Sequence, residues 1–237
     1  METLANKTVL ITGGSKGIGY GVAEALVKDN AKVAITSRSK AAADEAVATL
    51  NQLGKGEAIG IVADVRKADD QQKAVDTVVK KWGRLDVLVA NAGVGNFASI
   101  EAMTPEQWHE TIDTNLTGVF YSIKACLPAL KQSKGYIITM ASLAGTNFFA
   151  TASAYNASKF GLVGFTQAVM LDIRNYGIKV TTIMPGSVAT NFNHHKPSPA
   201  DAWKIQPEDI GQIVVDLLKM NPRTLPSKIE VRPSIPK

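Results

Sequence analysis

Tyr155 and Lys159 stand four residues apart, a spacing that on a helix stacks a phenol and an ammonium on one face, about a turn from each other. A phenol with an ordinary pKa of about 10 holds its proton too tightly for efficient two-way exchange near neutrality. A neighbouring ammonium favours the phenolate, and lowering the phenol by about 3 units takes roughly 4 kcal/mol of differential stabilisation. The pair is therefore suited to general acid–base work in a partly dry site. A lone pair at this spacing is common, so its meaning rests on what accompanies it.

A glycine-rich turn accompanies it. The chain reads Thr12-Gly13-Gly14-Ser15-Lys16-Gly17-Ile18-Gly19, with glycines spaced G-x-x-x-G-x-G between a β-branched run and a helical pattern. That context suits a tight turn that brings backbone close to a pyrophosphate and aims a helix N-terminus at negative charge. No Gly-Lys-Ser/Thr closes the turn, so the lysine and magnesium-binding hydroxyl of a nucleotide hydrolase are missing. The second β-run ends in Ser37 and Arg38, where a carboxylate would bind the ribose 2′-hydroxyl of NAD. Arg38 offers a fork of donors matched to a 2′-phosphate, and Lys16 adds a second cation from the turn. Asp44 and Glu45 come too late to replace the missing acid. These residues point to NADP(H).

The elements that must position these groups follow from hydrophobic period. Short β-branched runs at 7–12, 32–36, 58–62, 85–90, 135–140, 179–183 and 228–232 alternate with helical patterns over 18–29, 41–53, 70–82, 105–130, 154–176 and 207–220. This rhythm predicts one α/β domain over 1–237, a doubly wound parallel sheet with helices on both faces. Residues 187–206 hold Pro197, Pro199 and two histidines without periodicity and read as a loop. Residues 221–237 hold four prolines and can supply one strand.

Composition narrows the partners. The formal charge is +5 with a pI near 9.2, but the cations are scattered, without a basic run or interleaved aromatics, so neither nucleic acid nor membrane is expected. No stretch reaches the length of a membrane span, and the N-terminus shows no secretory h-region, which makes a cytoplasmic place the expectation. Cys126 is the only cysteine, so no internal disulfide forms, and its apolar neighbours suggest a buried small hydrophobe. Adjacent His194 and His195 lack the spaced carboxylates or thiols that complete a metal set, so no metal is expected. His109 reads as a surface helix residue. Phe148, Phe149, Phe192 and Trp203 are candidates to line an apolar substrate pocket, with core or lid packing as the alternative for each.

Further motifs follow in order: Asn91-Ala92-Gly93 after the fourth run, Thr114-Asn115-Leu116-Thr117-Gly118, Ser142 after the fifth, Tyr155-Asn156-Ala157-Ser158-Lys159, and Pro185-Gly186 with Thr190 after the sixth. Together with the glycine turn they resemble the short-chain dehydrogenase/reductase family over nearly the whole chain, in the general likeness of its 3-oxoacyl-(acyl-carrier-protein) reductase and carbonyl-reductase types. The resemblance implies a Rossmann fold with a seven-stranded parallel sheet and a homo-oligomer, dimer or tetramer, packed through the helices carrying Asn115 and Tyr155. It implies that Gly13, Ser15, Lys16, Gly17, Ile18, Gly19, Ser37 and Arg38 bind the dinucleotide, that Asp64 and Val65 contact adenine, and that Asn91, Ala92 and Gly93 line the cleft. Pro185, Gly186, Val188 and Thr190 would embrace the nicotinamide end.

For chemistry, the resemblance implies hydride transfer between a carbonyl and an alcohol, with Tyr155 as proton donor or acceptor and Ser142 donating a hydrogen bond to the substrate oxygen. Lys159 would bond the nicotinamide ribose, and Asn115 would hold a water that relays protons through Lys159. Small or medium ketones, aldehydes and 3-oxoacyl thioesters, with an acyl carrier protein as partner, are the first substrate classes. A pterin side chain or other cyclic carbonyl, or a sugar alcohol, comes second. A non-catalytic NADP-binding sensor is the competing class, and the presence of Ser142, Tyr155 and Lys159 weighs against it. The ending Ile229-Glu230-Val231-Arg232-Pro233 departs from the glycine-rich ending of the 3-oxoacyl reductases, and the loop after Thr190 leaves only a small lid.

Overall fold

A computed structural model describes residues 4–54 and 56–236. Seven parallel strands form one sheet in the order β3-β2-β1-β4-β5-β6-β7: β1 Thr8–Ile11, β2 Lys32–Ser37, β3 Glu57–Val62, β4 Val87–Ala90, β5 Tyr136–Met140, β6 Lys179–Pro185 and β7 Lys228–Val231. The central runs Thr-Val-Leu-Ile and Val-Leu-Val-Ala are buried at every position, as a parallel sheet covered on both faces requires. On one face α1 (Gly17–Lys28), α2 (Lys40–Asn51) and α7 (Pro207–Lys219) pack Leu26, Leu50 and Val214 onto Val9, Ile11 and Val33. On the other, α3 (Ala68–Trp82), α5 (Gly118–Ser133) and α6 (Ser153–Ile173) pack Val78, Ile123 and Leu162 onto Leu10, Leu88 and Ile137. The strand order reverses between β1 and β4, and the crevice beyond their carboxyl ends is where a doubly wound sheet holds a ligand.

The pattern over 105–130 resolves into α4 (Pro105–Ile112), a π-helical turn Asp113–Thr117, and α5, wound without a break. Pro105 at the first turn and the Thr104–Gln107 capping box start it. The wider π-turn inserts one extra residue per turn and re-aims the side chains it carries, Thr114 and Asn115 among them. The proline-rich tail supplies β7, and Gly186 N donates to Val231 O at 2.8 Å, which carries the chain from β7 past the end of β6. No helix among the described residues is long and apolar enough to cross a membrane.

Candidate active site

A cleft of about 1510 Å³ runs along the carboxyl ends of the strands, from Ser37 and Arg38 at the end of β2 to Phe149 and Phe192. The glycine turn forms its floor. Gly13 has φ +66°, and a Cβ there would stand 2.9 Å from Ala92 Cα, so only glycine lets the two strand ends approach this closely. Asn91 ties the turn from β4: its Nδ2 donates to Thr12 O and Gly13 O, both at 3.0 Å, while Thr12 Oγ1 accepts from Asn91 N at 3.0 Å and Ala92 N at 3.1 Å. Lys16 caps α1 with extended backbone and without a side-chain cap bond, and the first turn holds no acidic residue. The helix thus presents free N–H groups and a positive dipole end to the cleft, which fits a phosphate.

Ser15, Lys16, Gly17 and Ile18 line this stretch, and Gly19 does not. A Cβ at Gly19 would stand 2.5 Å from both Asn91 Nδ2 and Gly13 O, so this glycine is needed for packing beneath the turn rather than for ligand contact. Ser15 Oγ donates to Ser37 Oγ at 3.3 Å, and the exposed Arg38 and Lys16 flank that pair. Asp64 and Val65 border the cleft after β3. The Asp64 carboxylate is held by Arg66 at 2.6 Å, and this hydrogen-bonded pair keeps its pKa below the usual carboxylate range. Thr114 also lines the cleft, and its buried Oγ1 has no hydrogen-bond partner among the described residues, an orphan that a bound nucleotide can satisfy. These features fit a dinucleotide with a phosphorylated ribose.

At the other end, Ala92, Gly93, Ser142, Tyr155, Lys159, Pro185, Gly186, Val188 and Thr190 close around one wall. Ser142 leaves β5 and caps a short 3₁₀ turn, its Oγ accepting from Ala144 N at 3.1 Å. Tyr155 rises from the first turn of α6, and its phenol lines the same cleft as Ser142, whose hydroxyl favours the phenolate. One turn along, Lys159 is buried and donates from Nζ to Met140 O at 2.9 Å.

Within the protein alone, the ammonium does not by itself lower the phenol. Burial raises the Tyr155 pKa, and the Ser142 hydroxyl only partly offsets this. Burial also lowers Lys159 to about 8. The ammonium is turned to a main-chain carbonyl, 5.7 Å from the phenol ring centre, and in so dry a place desolvation outweighs it.

Asn115 is fully buried and does not line the cleft. Its Nδ2 donates to Val94 O at 2.8 Å and Ser158 Oγ at 3.0 Å, and its Oδ1 accepts from Val94 N at 2.8 Å. The side chain braces the segment beyond Gly93.

Of the four aromatic candidates, Phe149, Phe192 and Trp203 line the cleft, whereas Phe148 is 84% exposed and does not. The spacing gave no sign of Phe97, four residues beyond Gly93, whose ring lies 5.3 Å from that of Tyr155. Nor did it single out Asn156, whose Nδ2 donates to Ala144 O at 2.7 Å and Asn147 O at 2.8 Å and so fastens the loop after Ser142 onto α6. Both make contacts between segments whose proximity no local pattern encodes.

The 187–206 loop is closed at its base, where Ala189 N donates to Ile205 O at 2.9 Å and Ile205 N to Ser187 O at 3.1 Å. Asp201 pins it internally, bonded to His195 Nε2 at 2.8 Å and Lys204 Nζ at 2.6 Å, and these partners hold its carboxyl well below the usual range. The side chain of His194 lies outside the described residues.

Comparison with known proteins agrees with this geometry. Residues 7–201 match the family described as short chain dehydrogenase. The chain is 38% identical over 197 residues, 82% of its length and 79% of the relative's, to a 3-oxoacyl-[acyl-carrier-protein] reductase of Synechocystis sp.. Among solved structures it is similar to an alcohol dehydrogenase from the archaeon Thermococcus sibiricus complexed with 5-hydroxy-NADP, at TM-score 0.91 and 29% identity over 98% of both chains. It is also similar to a 3-ketoacyl-(acyl-carrier-protein) reductase from Brucella melitensis complexed with NADH, at TM-score 0.89 and 25% identity over 98% of both. The chain belongs to the short chain dehydrogenase family of oxidoreductases.

Proposed function

We propose that this protein interconverts a ketone or aldehyde and the corresponding alcohol with NADP(H), using Tyr155 as general acid and base. The observation that carries this is that Ser142, Tyr155 and Lys159 line one end of a cleft whose far end is the glycine turn. NADP(H), when bound, supplies or takes up the hydride. Arg38 and Lys16 would hold its 2′-phosphate, and the α1 N-terminus its pyrophosphate.

In the reducing direction the substrate oxygen gains negative charge as it is converted to an alcohol. Ser142 Oγ donates a hydrogen bond to that oxygen, and Tyr155 Oη delivers the proton. In the oxidising direction Tyr155 accepts it. Burial leaves the phenol neutral and ready to donate, while Lys159, with a pKa of about 8, is mostly cationic at neutrality and stabilises the phenolate once it forms. Asn115 acts by holding the Val94 segment against the site. A homo-oligomer belongs to the same proposal, since α5 and α6 leave Phe120 and Phe160 exposed on their outer sides. A 3-oxoacyl thioester on an acyl carrier protein is a substrate candidate through the Synechocystis relative.

Following NADPH absorbance with a panel of ketones, aldehydes and thioesters tests the proposal. Turnover of at least one carbonyl is expected. Tight NADPH binding without turnover of any carbonyl, or of any alcohol with NADP, would favour a sensor instead.

A further inference from the structure

Above the Tyr155 phenol the chain assembles an aromatic cluster from three separate segments. Phe97 is its hub: its ring centre lies 5.3 Å from Tyr155, 6.0 Å from Phe149 and 6.4 Å from Phe192. Phe192 in turn stands 5.7 Å from Tyr155. All four rings meet at tilted or edge-on angles, the arrangements in which aromatic quadrupoles attract.

The backbone is arranged to permit this convergence. A Cβ at Gly95 would stand 2.6 Å from Phe192 Cζ and 2.9 Å from Phe97 Cε2, so any larger residue drives the two rings apart. Ala98 bridges Ala152 in a short parallel contact, with Ala98 N donating to Thr151 O at 2.8 Å, which locks Phe97 to the segment that enters α6 just before Tyr155. Phe97 packs there against Ala144, Ala152 and Tyr155.

The outer rings are uncovered. Phe149 is 53% exposed and Phe192 38% exposed, and both line the cleft beside the phenol. Polar groups of the substrate end are engaged within the protein: Lys204 by Asp201, which also holds the His195 ring, and Arg232 by Glu230 at 2.9 Å. An anionic substrate therefore finds no uncommitted partner among these three, whereas an apolar ring finds the partly exposed rings of Phe149 and Phe192 in the cleft wall.

We infer that Phe149 and Phe192, held in place by Phe97 over Gly95, form a ring-binding subsite, and that the preferred substrate is an uncharged ketone or secondary alcohol bearing a planar or cyclic apolar group next to the reacting carbon. This rests on the carbonyl–alcohol chemistry proposed above and narrows its substrate class. Phe149 and Phe192 set specificity by contact; Phe97 is a positioning residue that acts through them and through Tyr155.

The test compares kcat/KM for phenyl methyl ketone, cyclohexyl methyl ketone, 2-butanone and an acetoacetyl thioester with NADPH. The full-length protein is expected to favour the two cyclic ketones, by about tenfold or more over 2-butanone. Phe149→Ala and Phe192→Ala should each shrink that ratio severalfold, and Gly95→Ala, which leaves every ring present but displaced, should shrink it too. Saturation-transfer NMR with phenyl methyl ketone and NADP gives a readout apart from turnover: the ring protons of the ketone are expected to saturate in the parent and to lose the effect in Phe192→Ala. Equal kcat/KM for cyclic and linear ketones, a dominant preference for the thioester, or losses that are the same for all substrates in the Phe variants would overturn the subsite while leaving the oxidoreductase reading intact. Failure to turn over any carbonyl or alcohol would overturn both.

Discussion

Asn115 grips the main chain of Val94 from both sides, its Oδ1 accepting from Val94 N and its Nδ2 donating to Val94 O, each at 2.8 Å. The grip fastens the π-turn between α4 and α5 to the segment that carries Gly93 along the cleft and Gly95 beneath the aromatic hub. A buried carboxamide that mimics a strand partner in this way determines where that segment lies. Leucine fills a similar volume but leaves both Val94 groups unpaired. Asn115→Leu should cost about 2–4 kcal/mol of stability, read from the urea midpoint, and most of the turnover. A variant as stable and as active as the parent would show that the clamp is dispensable.

Tyr155→Phe removes one oxygen and keeps the ring that packs on Phe97 and Phe192. Turnover should fall by roughly 10²–10⁴-fold, the usual worth of a positioned proton donor. NADPH affinity, followed by fluorescence titration, should hold. Parent-like turnover would remove the phenol from the mechanism.

Arg38 sits exposed on the cleft rim beside the Ser15–Ser37 pair. Replacing its fork of donors with a carboxylate repels a 2′-phosphate and accepts from a ribose hydroxyl. Arg38→Asp should raise the KM for NADPH by about 10–100-fold and favour NADH, as judged from the ratio of the two kcat/KM values. An unchanged ratio would place the coenzyme selection elsewhere.

Lys159 gives a pH signature. Its pKa falls from 10.5 to about 8 on folding because burial disfavours the charge. Between these values the unfolded chain binds a proton that the folded chain has released, so stability rises with pH across that window. Below pH 8 both states are protonated and the full burial penalty is present. In Lys159→Met the penalty is gone at every pH, so the stability of the parent relative to the variant should climb by about 3 kcal/mol between pH 8 and 10.5. Urea denaturation of both proteins at pH 7, 8.5 and 10 reads this difference. A pH-independent gap would mean that the lysine keeps its ordinary affinity for protons.

The amino-acid order alone determined the alternation of strands and helices, the glycine turn with its cationic flank, and the sharing of one helical face by Tyr155 and Lys159. Each depends on the period of hydrophobic residues or on neighbours within a turn or two, and such relations survive without knowledge of the rest of the chain. Tertiary structure decided what those groups face. It set Ser142 of the β5 loop along the same cleft as Tyr155 and withdrew Gly19 into packing. It closed Asn115 onto Val94, left Phe148 in solvent, and brought Phe97 to the centre of the ring cluster. It also decided the balance of burial and charge at the helical pair. Water exclusion around α6 raises the phenol and lowers the lysine, and the loss of hydration is a property of everything packed against a group rather than of the residues beside it in the chain.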